Sequence, residues 1–306
     1  MRGIIFIFML SFIACNRGAH RDEGEWGSRR GPSSGAQHIA STVQPKKHIL
    51  VLNFWNDTPL HDQEWGVLAA NELKRGLDLT GKVIIDEPSG SLSTENFIEG
   101  THIKVAQLIR EGKRLGVSMI AAGKISKITF RQQGDEVGVL RKKRSLSGVD
   151  LELKLFDVQN GREIMATTRE GEAMVSALAA FENESSTAQY RQELTHKALQ
   201  EGISKFIGDI VQSLDHLSWQ GRIARLIGSK YYINAGKVSG LVTGDILRVL
   251  NPGEDLFDPT TGVFLGYSQG QLKGTLEVVD YVGTDAAVAV IHTGGNFKEG
   301  DFVQLY

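Results

Sequence analysis

The chain of 306 residues has a single cysteine, Cys15, so no disulfide can form within it. It lacks an excess of either charge: 34 basic and 36 acidic residues leave a net −2. No one-signed field therefore draws it to nucleic acid. It lacks a run long enough to span a bilayer as a helix: the apolar stretch Ile4 to Ile13 is about ten residues, half the required length. No Gly-x-x-x-x-Gly-Lys-Ser/Thr or Gly-x-Gly-x-x-Gly leads from a strand into a helix, and no Gly-x-Ser-x-Gly elbow occurs. His48, His61, His102, His196, His216 and His292 are scattered, without a His-Glu-x-x-His pair. No acid, base and nucleophile can be assembled from the sequence, so the expectation is a non-enzymatic protein without cofactor or metal.

What is present begins with the first fifteen residues. Met1-Arg2 gives a short positive start, and Ile4 to Ile13 has the length of a signal-peptide core. Ser11-Phe12-Ile13-Ala14-Cys15 closes it. A small residue before a cysteine at the end of such a run resembles the lipobox of bacterial lipoproteins, with Phe12 where leucine is more usual. The resemblance implies removal of residues 1–14 and acylation of Cys15. Asn16 follows where some bacteria place an inner-membrane aspartate, so the expected address is the outer membrane, facing the periplasm. Two or three acyl chains anchor stably where one is marginal.

From Cys15 to about residue 46 the chain is polar and turn-rich, with Gly18, Gly24, Gly27, Gly31, Pro32 and Gly35. Too few apolar groups are present to offset the entropy of ordering, and this part reads as a tether. Fully extended it reaches on the order of 100 Å.

Residues 47–217 read as an α/β domain. His48 to Phe54 is a mostly apolar strand, and Trp65, Leu68, Ala69, Leu73 and Leu77 recur at helical spacing. Val83-Ile84-Ile85-Asp86 is a second strand, Ser89 to Glu95 a loop, and Val105, Leu108, Ile109 and Leu115 mark a second helix. Val117 to Ile125 is a buried strand whose alternation slips between Ile125 and Ile128, which predicts a bulge. A polar connection follows. Val149, Leu151, Leu153 and Leu155 then alternate with Asp150, Glu152 and Lys154, and Asn160-Gly161 predicts a type I′ turn into Arg162–Thr168. Ala173 to Phe181 is an apolar patch that continues the sheet or starts a helix. Residues 187–216 carry a helical stripe from Tyr190 to Leu214. The order is β-α-β-α-β-β-β and a long helix.

Residues 218–306 are short strands and turns. Gly228-Ser229 separates two strands of a hairpin. Val242-Thr243-Gly244-Asp245 and Lys298-Glu299-Gly300-Asp301 are similar turns, each launching a strand. The expectation is a small β-barrel or sandwich, and for the whole chain an α+β fold.

Ile49–Phe54, Leu115–Ile125 and Leu155–Ile164 resemble CsgG-type curli-secretion proteins and the TolB-N-like middle domain of FlgT-type flagellar assembly proteins. Ile233–Gly236, Val242–Asp245, Asp258–Gly262 and Gly300-Asp301 resemble the C-terminal domain of the FlgT type. The resemblance implies a CsgG/TolB-N-like α/β sandwich followed by a barrel-like domain. It also implies a structural or assembly role in a flagellar basal-body ring or related outer-membrane machine. The partners would be envelope or flagellar ring proteins, or further copies of this chain, with no nucleic acid. The lipid-plus-tether layout also resembles lipoprotein regulators of peptidoglycan synthesis. A curli-type secretion channel is the third reading. Against it, Phe130 to Gly148 is charged, and a spanning strand needs about nine to eleven alternating residues.

Two charged groups remain. Glu254, Asp255 and Asp258 cluster beside Pro252 and Pro259, which fits a turn better than a calcium site. Arg141, Lys142, Lys143 and Arg144 form the sharpest basic run, expected between two strands as a contact for lipid phosphate or an acidic partner.

Overall fold

A computed structural model describes residues 44–59, 64–87, 92–100, 102–134, 142–178 and 188–306. All of these lie in one compact unit, Ser41–Tyr306. The first half is built from β1 (Lys47–Val51), β2 (Trp55–Asn56), α1 (Glu64–Leu79), β3 (Val83–Asp86) and a 3-10 turn at Thr94–Phe97. It continues with β4 (Ile98–Glu99), β5 (His102–Ile103), α2 (Val105–Leu115), β6 (Met119–Gly134), β7 (Lys142–Asp157), β8 (Arg162–Leu178) and α3 (Ala188–Asp215). The sheet order is β3-β1-β6-β7-β8, with β2 also on β6. β1 is parallel to β3 and β6, while β6, β7 and β8 form an antiparallel meander.

One face of the sheet packs Val51, Met119, Ile125, Leu151 and Leu155 against Leu73 and Leu77 of α1 and Ile203, Phe206 and Ile210 of α3. The other face is covered only in part. Leu50, Leu52, Ile120, Phe156 and Val158 lie under Leu108 and Ile109 of α2. Further along, Lys124, Glu152 and Lys154 stand on the uncovered remainder, each partly exposed. The expected apolar and polar faces are thus a fully covered face and a half-covered one.

The bulge expected after Ile125 is present between Ile125 and Lys127. The polar connection is not. β6 runs on to Gly134 and β7 starts at Lys142, so residues 126–134 and 142–148 are strand. Charged side chains hid the strand because they alternate on a face with no apolar cover. Ala173 onward continues the sheet as far as Leu178. The β7–β8 connection also departs from type I′. Asp157 pairs with Arg162 across a four-residue loop, and Asn296 alone among described non-glycine residues has positive φ. Asp157 Oδ1 accepts from the N–H groups of Gln159 and Asn160, which holds the loop without a left-handed asparagine.

α3 crosses β8 at a glycine pair. A Cβ on Gly171 would come 2.0 Å from the Ala198 carbonyl oxygen, and one on Gly202 would come 3.1 Å from the Gly171 backbone. Glu201 then accepts from the Glu172 N–H (3.0 Å), and Lys205 donates to the Glu170 carbonyl (2.7 Å). Side chains of the helix thereby occupy backbone groups on the edge strand, which would otherwise be open to another chain.

The second half comprises β9 (Gly221–Ile227), β10 (Lys230–Ile233), β11 (Ile246–Leu250), β12 (Asp255–Phe257), β13 (Phe264–Tyr267), β14 (Leu272–Val282), β15 (Ala286–Gly294) and β16 (Phe302–Leu305). Six of these close a barrel in the order β10-β15-β14-β11-β16-β9, and β12 and β13 form a separate hairpin. Ile223, Ile233, Leu247, Val249, Leu276, Val278 and Val303 fill the barrel. The two Gly-Asp turns share one geometry. Gly244 and Gly300 have φ 95° and 92°. The Asp245 and Asp301 carboxylates accept from the Val242 and Lys298 N–H groups, both at 2.7 Å.

Candidate functional site

The charged and polar groups that the sequence left unassigned converge where the sheet meets the barrel. β1 starts beside the barrel, and the Lys46 N–H donates to the Ser239 carbonyl at 2.7 Å. His48 lies 2.9 Å from Asp86 Oδ2 through Nδ1 and 3.3 Å from Ser239 Oγ through Nε2. Ser239 Oγ in turn donates to Asp285 Oδ2. Asp285 Oδ1 also accepts from the Gly236 and Ser239 N–H groups, at 2.9 and 3.0 Å. A Ser–His–Asp chain is therefore present, drawn from positions 48, 86 and 239, which no motif search connects. Its surroundings give it a cohesive role. Ser239 is fully buried and His48 is 5% exposed. The Ser239 proton is directed at Asp285 and not at His48, so hydroxyl and imidazole are not paired as nucleophile and base.

A second junction forms at the end of α2. Gly116 takes the left-handed conformation, φ 79°, and Val117 N–H returns to the Gly112 carbonyl at 3.1 Å. The carbonyls of Lys113 and Arg114 accept from Arg222 Nη1, and the Gly116 carbonyl accepts from Asn234 Nδ2 at 3.2 Å. A cation from the barrel thus sits on the negative end of a helix of the α/β layer.

The β12–β13 hairpin leaves the barrel and leans back on the same helix. Lys113 Nζ stands 2.8 Å from the centre of the Tyr267 ring. Arg110 lies 3.8 Å from Asp255. The Phe264 ring meets Tyr267 and Phe257 edge-on, with centroids at 5.2 and 5.5 Å. Burial pushes the Lys113 ammonium down to about 8 against the pull of Asp255, and lifts the Tyr267 phenol to about 12. The hairpin leaves Leu256, Phe257, Val263 and Leu265 between 44% and 62% exposed.

Under this hairpin is a cleft of about 400 Å3. α2 supplies Lys113, the β7–β8 turn Gln159, the segment after α3 Gln220, the segment after β13 Gln269, and β16 Phe302 and Gln304. Lys113 is the one charged residue on its wall among the described residues. The Tyr267 hydroxyl is buried without a hydrogen-bonding partner.

The sites expected from sequence fall elsewhere. Cys15 and Arg141 lie outside the described residues, as do the side chains of Lys142 and Lys143. The expected loop around the basic run is corrected in part: Lys142, Lys143 and Arg144 are within β7, and Arg144 is exposed and pairs by backbone register with Gln133 and Ser176. Glu254, Asp255 and Asp258 do not converge. Asp255 faces Arg110, and Asp258 accepts from the Thr260 and Thr261 N–H groups, which hold its carboxyl below the usual range. Among the described residues no group of acidic, histidine or cysteine side chains is placed to hold a metal.

No family model matches the sequence, and no curated protein matches it. Among solved structures, the hypothetical protein CT253 of Chlamydia trachomatis shares 14% identity over 56% of this chain and 96% of that one, with a TM-score of 0.33. Lipoprotein GNA1162 of Neisseria meningitidis shares 15% over 54% and 99%, TM-score 0.29. A minor lipoprotein of Acinetobacter baumannii shares 14% over 55% and 96%, TM-score 0.29. At such scores the likeness decides neither fold nor function.

Proposed function

We propose that this chain is a non-enzymatic lipoprotein of the bacterial envelope. It would be anchored through Cys15 to the outer membrane, facing the periplasm. There it would act as a structural or assembly part of a flagellar basal-body ring or a related machine. The address rests on Ile4–Ile13 followed by Ala14-Cys15. The role rests on one structural observation: the best-placed reactive groups, His48, Asp86 and Ser239, are spent on joining sheet to barrel. A sheet layer and a barrel joined by buried polar bonds suit a part that transmits position rather than one that turns over substrate. The resemblance to CsgG-type and FlgT-type proteins supplies the choice of machine. Mass spectrometry of the chain from bacterial membranes tests the address, with a diacyl or triacyl Cys15 as the expected product. Pull-down against flagellar ring proteins and, separately, peptidoglycan synthases tests the role. Capture of the synthases alone transfers the chain to the regulator reading, and turnover of any substrate removes the non-enzymatic one.

The curli-type channel keeps one favouring observation. β6 and β7 are 16 residues each, longer than the about nine to eleven that a spanning strand needs. No helix among the described residues is long and apolar enough to cross a membrane, and strands would have to do so. Their outer ends carry Arg131, Gln133 and Arg144 on the face that bears Leu146 and Met174, which breaks up a lipid-facing band. Ion conductance by detergent-extracted protein would favour the channel.

A further inference from the structure

The cleft beneath the β12–β13 hairpin has a lining that the scaffold role does not use. Gln159, Gln220 and Gln304 are half-buried there, Gln269 is exposed, and none of the four amides bonds another group among the described residues. The amides face the water in the cleft and are available to a guest, and the Tyr267 hydroxyl in the same wall is buried without a partner, which is costly unless something meets it. Each amide offers one acceptor oxygen and two donors, and the Tyr267 hydroxyl offers one of each. Two half-buried rings, Tyr267 and Phe302, supply flat apolar surface in the same wall.

This wall selects a ligand class by exclusion and by fit. With Lys113 as its one charge, and that charge seated on the Tyr267 ring, it cannot neutralise a polyphosphate. Its amides reject a wholly apolar guest, which would leave them unpaired. What remains is a compact molecule whose groups both donate and accept, and which has an apolar face: a ring bearing hydroxyls. The size, about 400 Å3, falls within the about 300–1,000 Å3 of small-molecule sites.

We propose that this cleft is a saccharide-binding site for a neutral or singly anionic sugar of one or two rings. Hydroxyl or acetamido groups would pair with Gln159, Gln220 and Gln304, and a ring face would lie on Phe302. The site depends on both halves of the protein, since α2 and the β7–β8 turn form one wall and the barrel the other. It is independent of whether Cys15 is acylated.

The test is titration of the full chain with N,N′-diacetylchitobiose, maltose, trialanine and inorganic phosphate. Calorimetry and the glutamine side-chain NH2 signals in NMR give the readout. The expected result is saturable binding of at least one disaccharide, with signals of Gln159, Gln220 or Gln304 shifted and no response to trialanine or phosphate. Gln220→Leu combined with Gln304→Leu should weaken binding about tenfold or more. Gln220→Asn, a milder change, should weaken it less while the thermal midpoint stays in place. Absence of any saccharide response at about 10 mM, a range typical of the weakest specific ligands, overturns the proposal. Preferential binding of trialanine or phosphate overturns it equally.

Discussion

The two halves of this protein meet the same difficulty, the open edge of a β-sheet, in opposite ways. The barrel has no edge: its six strands close on themselves, and strands of 4 to 11 residues suffice. The first sheet stays open, with strands of 16 and 17 residues, and must guard its ends. It does so with α3, whose Glu201 and Lys205 occupy backbone groups of β8. The lesson is that the open sheet owes its integrity to one helix lying very close, while the barrel owes its own to closure and to polar clamps between strands and turns. Lys273 with Asp301 is one such clamp, at 2.6 and 2.7 Å, and the Asp301 side chain is 3% exposed.

Breaking that clamp should give the largest effect. Asp301→Ala strands a largely buried ammonium and frees the turn at Lys298, and should cost about 3–5 kcal/mol in denaturant unfolding. If the loss is under about 1 kcal/mol, closure alone holds the barrel. Next comes the helix–strand crossing. Gly171→Ala drives a methyl into the Ala198 carbonyl and should cost about 1–3 kcal/mol or more. Gly208→Ala, on the exposed side of the same helix with open space around it, should instead stabilise by about 0.5–1 kcal/mol. Equal effects at the two positions would remove the close approach as the explanation.

The junction between the halves should answer to Ser239→Ala. It leaves His48 Nε2 and Asp285 Oδ2 without their shared partner, and should cost about 1–3 kcal/mol in denaturant unfolding. The edge guard predicts a smaller change of a different kind. Glu201→Ala with Lys205→Ala should change stability by under about 1 kcal/mol, yet raise association measured by light scattering as concentration increases.

The smallest expected effect is on pH dependence, and it concerns the contact of Lys113 with Tyr267. The lysine sits at about 8 in the folded chain and at its ordinary 10.5 when unfolded, so between these values the unfolded chain holds more protons and stability rises with pH. The tyrosine runs the other way: its ordinary 10.0 is lifted to about 12, so above pH 10 the folded chain holds more protons and stability falls. Thermal midpoints should therefore climb from about pH 8 and turn over near pH 10. In Lys113→Met the climb should shrink to what Lys47, also held below its ordinary value by burial, contributes. Both groups are partly solvated, which keeps the amplitude small.

Much of the fold was legible because period and punctuation are local. The alternation at Val149–Leu155 placed β7, the slip at Ile125 placed a bulge, and the two Gly-Asp turns marked strands of the barrel. The outer ends of β6 and β7 were illegible for a physical reason. Residues such as Arg131, Gln133 and Arg144 point to water on an uncovered face, so nothing in their hydropathy distinguishes strand from loop. The β7–β8 turn misled in another way: Asn160-Gly161 favours type I′, but Asp157 captures the N–H groups of the two residues before Gly161 and imposes a longer loop.

By itself the sequence determined the order of the main strands and helices of the first half and the single cysteine on which an anchor would depend, since each is written in neighbouring residues. Only the tertiary structure decided what the two halves do to each other. His48 meets Ser239 across 191 positions, and Gln159 meets Gln304 across one cleft. Such encounters follow from how layers pack and a barrel closes, which no local pattern records.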